Sequence, residues 1–302
     1  MQRIFTLAWA GTLILCLIGG SARAGDPKWE EAKKDEKAAK EVIWKAAVQG
    51  GLILTTGNSE TTTISGGVNV SRKAGFNKFQ LATSGAFARS SLYIASDVNG
   101  AGAISAGEIQ RPTQTTTRAW DVNARYDRFL TKHNSLYVLA KLASDKPAGK
   151  QLVAGAQAGY SRLLYQSKIH EVTGEVGYDY SFEDLTAGDG VSIHSGRGFI
   201  GWAAKLSEDT GINTSGEILV NVNKLNTPTG PVDRFEDARF TGKVELTTKL
   251  HENISFNFGF AAKYDNAPAP RPPFAVPYAP GFLPAADKLD TITKASLIIN
   301  FL

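Results

Sequence analysis

Cysteine is nearly missing: the 302 residues hold one, Cys16, with one Met and four His. Cys16 lies in the first apolar segment behind bulky Leu15, where a lipoprotein cut wants a small residue, so lipidation is not expected. With no cysteine beyond that segment, disulfides and thiolate metal sites cannot stabilise the rest of the chain. Charge of one sign is also scarce. Two of the 33 basic residues, Arg3 and Arg23, precede the expected cleavage point, which leaves a net +2 against 29 acidic residues and no nucleic-acid footprint. Nor is there a phosphate-cradling glycine loop, a metal-ligand cluster or a nucleophile elbow. What is plentiful is Gly, at 30 residues, and aromatics, at 10% of a chain that is 42% hydrophobic. That excludes disorder and favours a β-rich fold with many turns.

Residues 1–24 read as a cleaved secretory signal, with Arg3, an apolar stretch from Ile4 to Gly20, and the small-residue end Ala22-Arg23-Ala24. An anchoring helix is the alternative, although the stretch is short and interrupted by Gly11, Thr12 and Gly19. Residues 25–43 follow as a charged leader. Glu30/Lys34 and Glu36/Lys40 stand at helical i, i+4 spacing, and Trp29, Ala32, Ala39 and Ile43 give a thin apolar stripe. The segment reads as a short solvated helix or as a periplasmic arm or plug.

From Trp44 to Leu302 the period is two. Val172, Gly174, Val176, Tyr178, Tyr180 and Phe182 alternate with Glu171, Thr173, Glu175, Gly177, Asp179 and Ser181. The same grammar recurs at Trp120–Asp127, Ile212–Val222, Ala238–Leu250 and Ile254–Lys263, and more weakly in seven other segments, about twelve strands in all. Connections alternate in length. Ala74–Asn77, Thr131–Asn134, Gln166-Ser167, Ser207–Thr210 and His251–Asn253 are short turns, whereas Ser90–Gln114, Glu183–Val191, Leu225–Arg234 and the Pro-rich 266–287 read as longer loops.

An all-β chain with short turns at one rim and long loops at the other has the pattern of a transmembrane antiparallel barrel of the bacterial outer membrane. The hydrocarbon layer offers no water to unpaired N–H and C=O groups, so a sheet can cross it only by closing on itself. A secreted sandwich or lipocalin-like barrel is the competitor, because alternation alone leaves open which face points inward. The distribution of charge decides for the membrane. One face carries Asp121, Arg125, Glu171, Glu175, Arg197, Lys205, Glu217, Arg239, Lys243, Glu245 and Lys263, while the other runs without charge for ten residues at a time. The charged face is expected to line the lumen and the apolar face to touch lipid.

The stretch Leu54-Thr55-Thr56-Gly57-Asn58-Ser59-Glu60-Thr61, a strand end and hairpin turn followed by alternating strands, resembles the salt-induced, YdiY-like outer-membrane proteins known as domain of unknown function 481. The resemblance implies an outer-membrane barrel in contact with lipid and assembled by the barrel machinery. It brings no catalytic residues. Its implied role is structural, in envelope or osmotic stress. The polar lumen suggests instead a small passive solute channel, and its near-balanced charges would serve either a filled barrel or a narrow pore.

Two further candidates stand apart. Asp97, Asn99, Ser105 and Glu108 fall at positions 1, 3, 9 and 12 of a calcium-loop pattern with Gly102 at position 6, but Ala101 occupies position 5, where an oxygen is needed. Calcium is thus the one cofactor considered, against a plain Gly-rich loop. His170 and His194, with Ser192, Ser195 and Asp189 close in sequence, raise a barrel lipase or esterase, which needs Ser and His within hydrogen-bond reach. Histidines near strand ends also suit the lipid headgroup level, and the expectation is a protein that is not an enzyme.

Overall fold

The computed structural model describes residues 42–55, 60–91, 94–95, 109–110, 112–186, 188–270 and 286–301. Their strands, in chain order, are β1 (Val42–Thr55), β2 (Glu60–Ala74), β3 (Asn77–Ser91), β4 (Ile94–Ala95), β5 (Ile109–Gln110), β6 (Thr113–Phe129), β7 (Asn134–Asp145) and β8 (Lys150–Gln166). They continue with β9 (His170–Leu185), β10 (Val191–Lys205), β11 (Thr210–Asn221), β12 (Leu225–Thr227), β13 (Gly230–Val232), β14 (Ala238–His251), β15 (Ile254–Asp265) and β16 (Leu289–Asn300). The pairs β4–β5 and β12–β13 are small ribbons within connections. The other twelve strands form a closed antiparallel barrel, sealed by β1 against β16 from Ala47 opposite Asn300 to Gly50 opposite Leu297.

Alternation sets the two faces. On β9, Val176, Tyr178 and Phe182 are exposed on the outer wall, whereas Glu175, Asp179, Ser181 and Glu183 are buried. On β15, Phe256, Phe258 and Phe260 are exposed, and Ser255, Asn257 and Gly259, which alternate with them, are buried. A water-soluble barrel would hide its large apolar side chains inside. This one presents them all round, in the solvent a lipid bilayer supplies. Aromatics gather at both ends of the wall, with Trp44, Phe76, Tyr165 and Trp202 near the short-turn rim and Phe87, Trp120, Phe240 and Tyr264 toward the other. These are the interfacial girdles of a membrane barrel.

The short-turn rim, periplasmic by the usual asymmetry, is trimmed by local chemistry. Gly75, at φ 54°, lets Gly75-Phe76 alone join β2 to β3. Between β6 and β7 the Thr131 hydroxyl accepts from His133 N and Asn134 Nδ2.

Boundaries differ from the sequence reading at several places, three of which bear on the interior and its rims. β1 begins at Val42, so Val42 and Ile43, placed in the leader helix, belong to the barrel; residues 25–41 lie outside those described. The expected Glu183–Val191 loop shrinks to residues 186–190, because Glu183 continues the inward face of β9, where Lys150 at 2.8 Å and Arg239 at 3.1 Å hold it. The Leu225–Arg234 loop folds into the β12–β13 ribbon, turning at Gly230 with φ 134°.

A test of the wall's direction follows. Phe258, 46% exposed near the middle of β15, changed to Arg is expected to cost about 2–4 kcal/mol of folding free energy in lipid vesicles. Unfolding in urea after reconstitution measures it; an unchanged midpoint would mean that Phe258 does not face hydrocarbon.

Candidate functional site: the barrel interior

Side chains that bond across the barrel locate its interior. Arg125 on β6 reaches Glu175 on β9 at 2.7 Å although β7 and β8 stand between them in the wall. Arg239 on β14 reaches Glu183 on β9 past β10 and β11, and Lys141 on β7 reaches Asp179 past β8 at 3.1 Å. Such links can only run through the inside.

The largest network centres on Arg197. Its guanidinium bonds Glu175 and Glu217, each at 2.7 Å, and donates to the Tyr137 hydroxyl at 2.8 Å. Arg125, paired with Asp127 and Glu175 at 2.7 Å each, stacks 4.3 Å from the Tyr137 ring centre. Tyr137 thus separates two like charges and gives each an aromatic face, while the Arg125 fork meets both oxygens of Asp127 and of Glu175, and Arg197 sends two bonds to Glu217 and one to Glu175. Beside this network Asp179, with no exposed surface, accepts from Lys141 and from Gln157 Nε2 at 2.7 Å. Nearer the mouth, Lys150, Glu183, Arg239 and Asp237 form a second network. Asp237, in the segment that leads into β14, has its carboxyl raised to about 6 by burial, against the opposing pull of Arg239 and with Asp265 and Glu183 adding to the rise.

The remaining expected lumen residues fall as follows. Asp121 is buried, accepting from Ser84 Oγ and, at 2.8 Å, from Asn123 Nδ2. Glu171 is buried at the periplasmic end of β9. Lys243, Glu245 and Lys263 are half-buried on β14 and β15; Glu245 lies in the field of Lys243 and Lys294, and Lys263 stands opposite Asp290 in register. Lys205 departs from the expectation: it is exposed at the last residue of β10, where the chain leaves the wall.

The interior is uneven. From β7 to β10 it is filled, with Ser135, Ser161, Asp179 and Ser195 all but sealed. Along β11, β14, β15 and β16, Glu217, Lys243, Glu245, Lys263, Asp290 and Lys294 keep partial exposure and leave a polar lane. That lane tightens toward the periplasmic rim, where Gln49, Thr247, Asn257, Ser296 and Ile298 are buried. At the opposite mouth Leu225 of the β12–β13 ribbon, 2% exposed, packs with inward-facing Leu185, Val191 and Ile193 and with Ala269. Gly188, at φ +91°, lies so close to Pro228 of the same ribbon that a Cβ would come within 2.5 Å of it. The ribbon therefore covers one side of the mouth.

Several of these residues escaped the sequence reading: Tyr137, Lys141, Lys150, Gln157, Glu183 and Lys294. On β7, inward Tyr137 and Leu139 break the rule that apolar means outward and disguise the phase that Lys141 shares with them. Counting in steps of two from Ser135 would have recovered it.

The histidines lie elsewhere. His194 is on the outer face, its ring 5.1 Å from Tyr180 and its Nδ1 bonded to the Tyr178 hydroxyl, while Ser195, the next residue, points inward without exposure. Opposite faces of one strand hold them apart. His170 stacks on Trp202 at 6.0 Å near the periplasmic rim, and Ser192 and Asp189 are exposed at or beside the start of β10. Asp97, Asn99, Ser105 and Glu108 lie outside the described residues; among the described residues no group of three His, Cys, Asp or Glu side chains could hold a metal ion.

The family described as "Protein of unknown function, DUF481" matches residues 48–301. The chain belongs to the DUF481 family. No curated protein matches it. Among solved structures similar to this DUF481 barrel is the NanC porin, 10% identical at a TM-score of 0.42, with 84% of this chain and 97% of that one covered. The anion-selective porin from Comamonas acidovorans is 9% identical at a TM-score of 0.36, covering 86% and 99%. OmpT of Vibrio cholerae is 10% identical at 0.36, covering 90% and 100%. A closed barrel with an apolar wall and its charges inside belongs in the bacterial outer membrane.

Proposed function

We propose that this DUF481 barrel is a narrow passive channel for small hydrophilic solutes and carries no enzymatic activity. The observation that supports it is the unequal filling of the interior: a sealed wall of ion pairs on β7 to β10 faces a half-exposed lane on β11 and β14 to β16. The charges of that lane balance, Lys243, Lys263 and Lys294 against Glu217, Glu245 and Asp290, so the expected pore has no strong ion preference. Purified protein in a planar bilayer should give small, steady single-channel steps. Changing Lys243 and Lys294 together to Glu should move the reversal potential in a salt gradient toward cations, with the permeability ratio shifting roughly severalfold. A silent bilayer would overturn the reading.

The cross-barrel ion pairs favour a second reading, a structural protein of the envelope related to osmotic or salt stress, in which the stiffened wall is the function. It predicts a silent bilayer together with a growth defect in high salt when the gene is deleted, restored equally by wild type and by the two-lysine variant.

A further inference from the structure

The outer wall has a depression where alanines replace large residues. Ala124, Ala140 and Ala156 stand side by side in register on β6, β7 and β8, with Ala158 one step below. Phe79 and Tyr126 rise on one side, Tyr178 and Tyr180 on the other, enclosing a groove of about 580 Å³. A groove of that volume has room for an extended apolar chain.

Its periplasmic end carries positive charge. Along β6, Tyr126 is followed two residues on by Arg128, about 7 Å away along the strand, and the Tyr126 hydroxyl and Arg128 Nη1 share Asn77 Oδ1 at 2.6 and 2.8 Å. Arg128 also lies 5.9 Å from the Phe76 ring centre, so the partners that position it carry no charge. On β8, exposed Arg162 follows Ala158 by four residues, and Tyr160 between them bonds Asn134. Among the described residues neither arginine has an acidic partner. Two guanidiniums with no acidic partner among the described residues, one and two rows below the groove's lower edge toward the periplasmic rim, complement an anionic headgroup with its acyl chain above.

We infer that this groove is a binding site for one anionic phospholipid of the periplasmic leaflet, an acyl chain lying over Ala124, Ala140 and Ala156 and the phosphate meeting Arg128 and Arg162. The site is on the outside of the wall and independent of what the lumen conducts. The test uses the full folded barrel in neutral detergent, mixed with phosphatidylglycerol or with phosphatidylcholine of the same chains and examined by native mass spectrometry. One phosphatidylglycerol is expected to stay bound under activation that strips phosphatidylcholine, at roughly tenfold higher affinity.

Ala140→Phe, and in parallel Ala156→Phe, fills the floor and should abolish the preference. Arg128→Gln should lower phosphatidylglycerol affinity about tenfold and leave phosphatidylcholine unaffected. Ala295→Phe, on the outer face of β16 away from the groove, should change nothing. Heat-modifiable gel migration checks that each variant is folded. Equal retention of both lipids by wild type, or an unaltered preference in folded Ala140→Phe and Ala156→Phe, overturns the site; so does a dimer crosslinked through position 140, which would give the groove to a second copy.

Discussion

Arg197→Ala is expected to lower the unfolding free energy of the reconstituted barrel by about 3–5 kcal/mol, the range for removing one partner of a buried ionic network. Arg197 is only 8% exposed and contacts Glu175, Glu217 and the Tyr137 hydroxyl together. Its loss leaves Asp127, Glu175 and Glu217 around a single cation, Arg125, and opens a void beside Tyr137 and Phe199, on whose rings the guanidinium rests. The cost comes from stranded carboxylates and not from the pair's intrinsic strength, so Glu217→Gln in the Arg197→Ala background should recover part of it. Arg197→Lys keeps the charge but not the planar fork, and should fall between the two. Urea unfolding in lipid vesicles, followed by the loss of heat-modifiable migration, gives the numbers. If Arg197→Ala lies within about 1 kcal/mol of wild type, the network is solvated well enough to be dispensable, as exposed ion pairs are.

That network was only half legible in the sequence. Arg125, Glu175, Arg197 and Glu217 stand out because each interrupts an otherwise apolar alternation, and a charge in a chain this rich in outward-facing aromatics has few places to go but inside. Tyr137 left no such trace. An aromatic in a strand of a membrane barrel reads as a lipid contact, and nothing local says that this one caps two guanidiniums, because the residues it serves are 12 and 60 positions away. The fold was readable for the opposite reason: period-two alternation and turn chemistry are local signals, repeated strand after strand, and pairing between chain neighbours follows from them. The reading failed at the mouth, where Glu183 and Leu225 take their conformation from partners on other strands, Arg239 and Ile193 among them.

In the channel proposed above, detaching the β12–β13 ribbon is expected to raise single-channel conductance roughly twofold, since a hydrophobic cover at a pore mouth limits flow by excluding water. Leu225→Asp places a carboxylate against Leu185, Val191 and Ile193, where burial without a partner is too costly to persist, so the ribbon should swing off the mouth. The barrel should survive the change, because β12 and β13 pair only with each other and contribute nothing to the closed sheet. Replacing residues 224–233 by a short Gly-Ser linker should give the same conductance as Leu225→Asp, which separates uncovering the mouth from adding a charge to it. Gly188→Ala approaches the contact from the other side: its left-handed φ and the 2.5 Å approach to Pro228 make the methyl push the ribbon outward, with a smaller gain of the same sign. Wild-type conductance in both Leu225→Asp and the linker variant would mean that flow is limited elsewhere, at the tight periplasmic end of the lane beside Asn257 and Ile298, and Asn257→Ala would then be the change that widens it.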